Sequence, residues 1–238
     1  MTRQTVATRA RAPAPEPLSV RYARLANERL AQRPQDGVLR CLDLALAGAA
    51  SIVLAPVALV IGLAILADSG APVLYRGRRV GRGGDTFTMY KFRTLAPDAE
   101  TRLGPYMGSE LDALTPDEHT RVGRVLRDGH LDELPQLFNV LRGDMSIVGP
   151  RPIRPVFFEQ LCVQIPQYWQ RLVVRPGMTG FAQLRITRDM TWSEKLVHDF
   201  EYIADRSVGL YVRIVAVTTG RVARRLLLAP LALVRRSG

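Results

Sequence analysis

The 238-residue sequence predicts an α+β protein, mostly helical, with a membrane-seated helix, one short β-hairpin and amphipathic helices lying in the membrane interface. Three observations carry this. Leu44 to Ala67 holds no charged residue, and at about 1.5 Å rise per residue it is long enough to reach through a ~30 Å hydrocarbon layer. Two β-prone runs, Pro72–Tyr75 and Thr86–Phe92, flank a glycine cluster at Gly81, Gly83 and Gly84, as in a hairpin. Leu134, Leu137, Phe138 and Leu141 then recur at helical spacing.

Composition narrows the partners. A net charge of +11, from 33 Lys+Arg and 22 Asp+Glu, calls for anions: phospholipid headgroups, phosphorylated substrates or nucleic acid. Nucleic acid accounts for the charge but not for the uncharged membrane run, so no nucleic-acid partner is expected. Cys41 and Cys162 make no disulfide framework and fit a reducing compartment. The three histidines lack metal-ligand spacing, so a metal here would be a hard, oxygen-bound ion.

In chain order, residues 1–36 are rich in Ala, Arg and Pro and read as a disordered basic arm. No apolar signal-peptide core lies near Met1, so export is not expected. Residues 37–70 are the membrane segment. Length alone favours a full span. Pro56, however, removes a backbone donor in mid-run, which suits a helix-break-helix. Basic residues also stand on both sides, Arg33 and Arg40 before and Arg76, Arg78, Arg79 and Arg82 after. The positive-inside bias would place both flanks on the same side. Residues 71–238 form the remaining domain.

Within that domain, Lys91 and Arg93 alternate with Tyr90 and Phe92, which puts the two cations on one strand face. Residues 96–115 read as a polar surface segment, and Arg121, Arg124 and Arg127 as a basic helical face. Asp132 suits an N-cap, Glu133 a first turn, Pro135 a helix start and Gly143 a terminator. A carboxylate placed there stays ionised and can sit beside a phosphate. Phe157–Val174 reads as a core or membrane-facing helix, Pro176-Gly177 as a type II turn, and Trp192–Tyr202 as a helix carrying Asp199. Leu210–Arg236 reads as an amphipathic interfacial helix; a second span is disfavoured because each arginine at mid-bilayer costs roughly 2.5–3.5 kcal/mol.

The run from His130 to Pro152, with Asp132-Glu133 at one end and Pro150-Arg151-Pro152 at the other, resembles the core of the bacterial sugar transferases, the monotopic phosphoglycosyl transferases. Tyr90-Lys91-Phe92-Arg93-Thr94 is similar to that family's Lys-Phe-Arg-Ser/Thr segment, and Arg175-Pro176-Gly177 to its Arg-Pro-Gly segment. The resemblance runs from about Leu39 to the C-terminus in the family's order. It implies a re-entrant membrane helix and a small catalytic domain on the cytoplasmic face of the bacterial inner membrane. It also implies transfer of a sugar 1-phosphate from a UDP-sugar to a polyprenyl (undecaprenyl) phosphate, releasing UMP and starting assembly of a glycan.

Three places depart from the family pattern: Ala55-Pro56 for Ser-Pro, Asp128-Gly129-His130 for Arg-Thr/Ser-Ser, and Arg185-Ile186-Thr187 for Asn-Gly-Arg. In that chemistry Asp132 is the candidate nucleophile and Glu133 serves Mg²⁺ or proton handling, the pair forming the metal-binding dyad. Glu133, about 100° further round a helix, would not share Asp132's face. Arg127 and Arg151 would clamp phosphates through the guanidinium fork. Lys91, Arg93 and Asp199 match substrate-side positions. Arg40 and Asp43 match an anchoring pair at the mouth of the membrane helix. The expected partners are the UDP-sugar, polyprenyl phosphate and membrane lipid, with a homodimer left open. The competing reading is an inactive, membrane-attached relative that scaffolds without turnover.

Overall fold

A computed structural model describes residues 18–28, 33–97, 99, 118–185 and 190–234. Its organising element is helix α2, Pro34–Ser69, 36 residues long. A straight helix of that length would measure about 54 Å. Pro34 supplies the fixed φ that suits a first turn, and Asp36 accepts from the Arg33 backbone N–H at 2.9 Å. Pro56 lies inside the helix and does not end it. The helix-break-helix expectation is therefore corrected to a single continuous helix: one missing donor forfeits one backbone hydrogen bond, and the long apolar turns on either side carry on.

Both ends of α2 are held by the same domain. Near its start, Arg40 donates to the carbonyls of Val140 (2.7 Å) and Leu141 (3.1 Å). Asp43 accepts from Ser146 Oγ (2.9 Å), the Ile147 backbone N–H (2.8 Å) and Tyr211 Oη (2.8 Å). The expected Arg40–Asp43 anchor is thus two separate anchors with different partners. At the far end Asp68 accepts from the Val122 backbone N–H, and Arg93 donates to Ser69 and Gly70. Leu39, Ala47 and the pair Ile61/Ile65 each join a different hydrophobic cluster of the domain. The outer faces of the helix, with Ile52, Val53, Leu59, Val60 and Leu63, remain exposed and uniformly apolar.

The hairpin forms as expected. Strand β1 (Leu74–Val80) pairs antiparallel with β2 (Thr86–Phe92), running from Leu74 opposite Phe92 to Val80 opposite Thr86. A second, parallel pair joins β3 (Ser146–Val148) to β4 (Gly177–Thr179). Pro176-Gly177 therefore opens a strand and is not a type II turn; Gly177 is absent from the positive-φ glycines. Its missing side chain serves close approach instead, since a Cβ there would fall 2.0 Å from the Gly149 nitrogen.

The disordered arm expected through residue 36 is corrected in part. Helix α1, Leu18–Glu28, lies on the core, with Ala26 buried, Tyr22 stacked on Trp169 and Asn27 donating to the Gly83 carbonyl. Residues 1–17 lie outside the described residues, as does most of the 96–115 segment. The aromatic stretch after Pro152 is core, with Phe158, Leu161, Trp169 and Leu172 buried in one cluster. The helix Trp192–Asp205 and the terminal helix Val208–Val234 complete the chain; Tyr211 and Ile214 fix the latter against β3 and α2.

Asp43 gathers three donors from three elements, so Asp43→Leu leaves all three without that acceptor. At about 1–3 kcal/mol for each buried unsatisfied group, thermal unfolding of the purified protein should show a loss of roughly 3 kcal/mol or more. An unfolding midpoint equal to wild type would contradict the anchoring role.

Candidate active site

The acidic pair lies between two short helices. Helix Arg121–Asp128 is capped by Thr120, whose hydroxyl accepts from the Gly123 backbone N–H at 2.9 Å. His130 then adopts a left-handed backbone (φ 56°), and Leu131–Glu133 follows as one 3₁₀ turn. The next helix begins at Gln136 with Pro135 as its N-cap and ends at Gly143, also left-handed (φ 97°). The expected Asp132 N-cap is therefore corrected. Proline, having no N–H, holds the helix start itself, and the two carboxylates sit in a tighter turn before it.

That turn brings both carboxylates to one cation. Lys91 Nζ donates to Glu133 Oε1 at 2.7 Å and stands 3.7 Å from Asp132 Oδ2. The 3₁₀ turn thus lets the pair share one cation, where an α-helix was expected to part them, although they border different cavities. Asp132 lines an open cleft of about 930 Å³ that is also walled by Arg76, Arg79, Lys91, Arg127 and Arg154. Glu133 lines a neighbouring pocket of about 90 Å³ with Arg79, Lys91 and Arg151.

Electrostatics divide the pair further. Burial pushes the Asp132 carboxyl above its ordinary value, more than Lys91 pulls it back, and Glu133 adds to the rise. This reverses the expectation that local geometry alone keeps Asp132 readily ionised. Burial also opposes ionisation of Glu133, but Lys91 and Arg151 together outweigh it, and its pKa is lowered. The Arg151 guanidinium stands 3.6 Å from Glu133 Oε1 and is 57% exposed, free to meet a ligand.

The other expected site residues fall in different places. Arg127 lines the cleft and donates to His119 Nε2 at 3.3 Å; burial and the nearby guanidinium charges lower the His119 pKa, consistent with a neutral ring that accepts. Arg93 borders the cleft but spends one Nη on the end of α2, while its Nε and Nη1 have no hydrogen-bond partner among the described residues. Lys91 and Arg93, expected side by side, thus divide between the dyad and the helix. Asp199 does not reach the cleft. It is buried and paired with Arg171 at 2.8 Å. Arg171 also donates to Tyr168 Oη (2.7 Å) and to the Arg151 carbonyl (2.9 Å). The substrate-side expectation for Asp199 is therefore corrected to a buried support two contacts behind Arg151. Arg185 pairs with Glu201 and covers the Phe181 ring, whereas Ile186 to Asp189 lie outside the described residues.

Sequence reading missed Arg76, Arg79 and Arg154 as cleft residues and Arg171 as a support. The first two were visible only as charges flanking the membrane run. Arg171 lay in a stretch whose aromatic content signals core.

As donors, Asp132 and Glu133 offer what Mg²⁺ takes from proteins, one or two carboxylates, with substrate phosphates left to supply the rest. Among the described residues no cluster of three or more metal-ligating side chains forms. The dyad therefore fits a hard cation shared with substrate and does not fit a closed structural site.

Replacing Lys91 with Met removes the main influence opposing the burial of Asp132. The Asp132 pKa, already raised, should rise further, and that of Glu133 should rise with it. Infrared titration of carboxyl bands with isotope-labelled aspartate and glutamate would read both. A downward move of either would contradict the assignment.

The family model described as bacterial sugar transferase matches residues 35–225. A UDP-N-acetylgalactosamine-undecaprenyl-phosphate N-acetylgalactosaminephosphotransferase of Aeromonas hydrophila is 39% identical over 185 residues, covering 76% of this chain and 42% of that protein. A UDP-glucose:undecaprenyl-phosphate glucose-1-phosphate transferase of Caulobacter vibrioides is 40% identical over 190 residues, covering 75% of this chain and 67% of that protein. The exopolysaccharide production protein PSS of Rhizobium leguminosarum is 36% identical over 187 residues, covering 74% and 90%. The chain thus spans less than half of the Aeromonas protein's length and two thirds of the Caulobacter one. The matched region holds the dyad, the Pro-Arg-Pro loop and all of α2 but Pro34, and the chain belongs to the bacterial sugar transferase family.

Proposed function

We propose that this protein transfers a sugar 1-phosphate from a UDP-sugar to a polyprenyl phosphate in two steps through Asp132, and so initiates assembly of a glycan. The observation that carries the reading is the unequal environment of the dyad. Asp132 borders the large cationic cleft with a raised pKa, whereas Glu133 is held by Lys91 and Arg151. A poorly solvated carboxylate held by one looser ion pair, Lys91 at 3.7 Å, is a better nucleophile than one bonded to Lys91 at 2.7 Å and also facing Arg151.

In the first step an Asp132 carboxylate oxygen attacks the phosphorus that bears the sugar. A new O–P bond forms, the bond to the bridging oxygen of the diphosphate breaks, and UMP leaves with that electron pair. In the second step the polyprenyl phosphate oxygen attacks the same phosphorus, and Asp132 departs as carboxylate. The products are UMP and polyprenyl diphosphate sugar. The phosphoryl oxygens carry the charge in both steps, and Arg127, Lys91 and Arg151 stand nearest to neutralise it. Mg²⁺, when held by Asp132 and Glu133, supplies further neutralisation of the diphosphate.

Access supports the pairing of a soluble with a lipid substrate. The cleft wall begins at Pro72, three residues after α2 ends at Ser69, so the cleft opens beside the membrane-seated helix. Anchoring of both ends of α2 on one domain supports a monotopic arrangement on the cytoplasmic face of the bacterial inner membrane, with the apolar outer faces of α2 in lipid. The relatives named for N-acetylgalactosamine and for glucose transfer suggest a UDP-hexose or its N-acetylated form as donor.

The direct test is to screen UDP-sugars for UMP release with the full chain in membranes containing polyprenyl phosphate. Activity requires ionised Asp132, whose pKa is raised, so turnover should fall on the acid side at a pH above the ordinary aspartate value of 3.8. Arg151→Lys keeps the charge but loses the fork and should lower turnover by roughly 10²-fold with membrane attachment intact. No UMP from any UDP-sugar, or full activity in Arg151→Lys, would contradict the reading.

A further inference from the structure

Gln136 is a buried polar residue beside the dyad whose amide is only partly satisfied. It opens the helix after Pro135, one turn beyond Glu133, and is only 2% exposed. Its side-chain Nε2 has no hydrogen-bond partner among the described residues. A buried amide donor without an acceptor is destabilising unless a ligand takes it. Gln136 lines the pocket of about 90 Å³ on the Glu133 side, where Arg79, Lys91 and Arg151 also converge. Lys91 and Arg151 set against Glu133 already leave that lining net positive before Arg79 is counted, which suits a phosphate oxyanion. At about 90 Å³ the pocket is roughly a tenth the size of the neighbouring cleft, and its lining is mostly polar, which suits a small charged group such as a phosphoryl group.

We propose that Gln136 Nε2, together with Arg79, Lys91 and Arg151, forms a phosphate-monoester subsite beside Glu133, separate from the cleft that Asp132 borders. This rests on the two-step reading above and extends it. Two phosphate monoesters pass through the reaction, the departing UMP and the incoming polyprenyl phosphate. Holding either one next to the dyad places its oxygen close to the phosphorus on Asp132 while the sugar remains in the larger cleft. Gln136 contributes a donor that carries no charge, so it orients the phosphate without adding to the pull that Lys91 and Arg151 exert on Glu133.

The experiment measures binding of UMP and, separately, of a short-chain prenyl phosphate to the purified full-length protein in nanodiscs, by calorimetry. Gln136→Met keeps the side-chain volume and removes the donor. Affinity for at least one ligand should fall about tenfold, the worth of a hydrogen bond to a charged group. Weakening of UMP alone assigns the pocket to the leaving group, of prenyl phosphate alone to the acceptor, and of both to a shared site. The thermal unfolding midpoint reports whether packing survives. Gln136→Glu, which puts a negative charge in the same shape, provides the second variant and should weaken the same ligand by more than tenfold. Unchanged affinity for both ligands in a folded Gln136→Met or Gln136→Glu protein would overturn the subsite. UMP release by the wild-type chain is read separately. A chain that binds UMP through Gln136 but releases none from UDP-sugars would sink the proposed activity and leave the subsite standing.

Discussion

A carboxylate buried at the mouth of a membrane-seated helix must have its oxygens satisfied within the protein, and the rest of the structure is arranged around how Asp43 meets that demand. It accepts from Ser146 and Ile147 on β3 and from Tyr211 on the terminal helix. Three elements distant in sequence are thereby fixed to the start of α2. Arg40, three residues earlier, caps the carbonyl end of the helix that follows the acidic dyad. The end of α2 is clamped by Arg93, which lies two residues from Lys91. The same contacts that seat the membrane helix therefore set the position of the cation that serves the dyad. The seating of the long apolar helix and the geometry of the dyad are thereby physically linked.

The second constraint is the surplus of positive charge around the dyad. Cations that face one another are tolerated because each has fixed acceptors or opens toward a cavity where an anion can complete them. Behind Arg151 the order is maintained by the Arg171–Asp199 pair, buried on both sides, with Arg171 donating to the Arg151 carbonyl. Removing one partner of such a buried pair costs about 3–5 kcal/mol, because the charge left behind has no water to solvate it. Pro150 and Pro152 limit the backbone on either side of Arg151. Backbone restriction and a buried ion pair thus act on the same three residues, leaving the exposed guanidinium to respond to ligand.

The dyad, the hairpin, the membrane run and the terminal helix were legible in the sequence because each is carried by a local pattern: adjacent carboxylates, glycines between β-prone runs, absence of charge, helical spacing. The failures share a cause. Asp132 as an N-cap and Pro176-Gly177 as a turn were both local rules overridden by tertiary contacts. The dyad turn is shaped by Lys91 from a strand 42 residues before Glu133 in the chain. Gly177 is needed for its approach to Gly149, which no reading of its neighbours reveals. Asp199 sat on a recognisable helix, but its burial under Arg171 depends on a segment 28 residues upstream. Helix α1 emerged from a stretch that composition marks as disordered, because Tyr22 and Ala26 find Trp169 and the core of the domain. Pairings of this kind across the chain decide which titratable groups are solvated, so local motifs located the acidic pair but not its ionisation.

The central claim is that Asp132 forms a covalent bond to the phosphosugar before any lipid arrives. The most direct measurement incubates the full chain with its UDP-sugar and Mg²⁺ in the absence of polyprenyl phosphate, quantifies UMP, and maps added mass by peptide mass spectrometry. The account predicts up to one UMP per active protein and a phosphosugar mass on the peptide at Asp132. In Asp132→Asn, which keeps the shape of the side chain and removes its charge, neither should appear. A mass on Glu133, adduct formation that survives Asp132→Asn, or no UMP until lipid is added would contradict it.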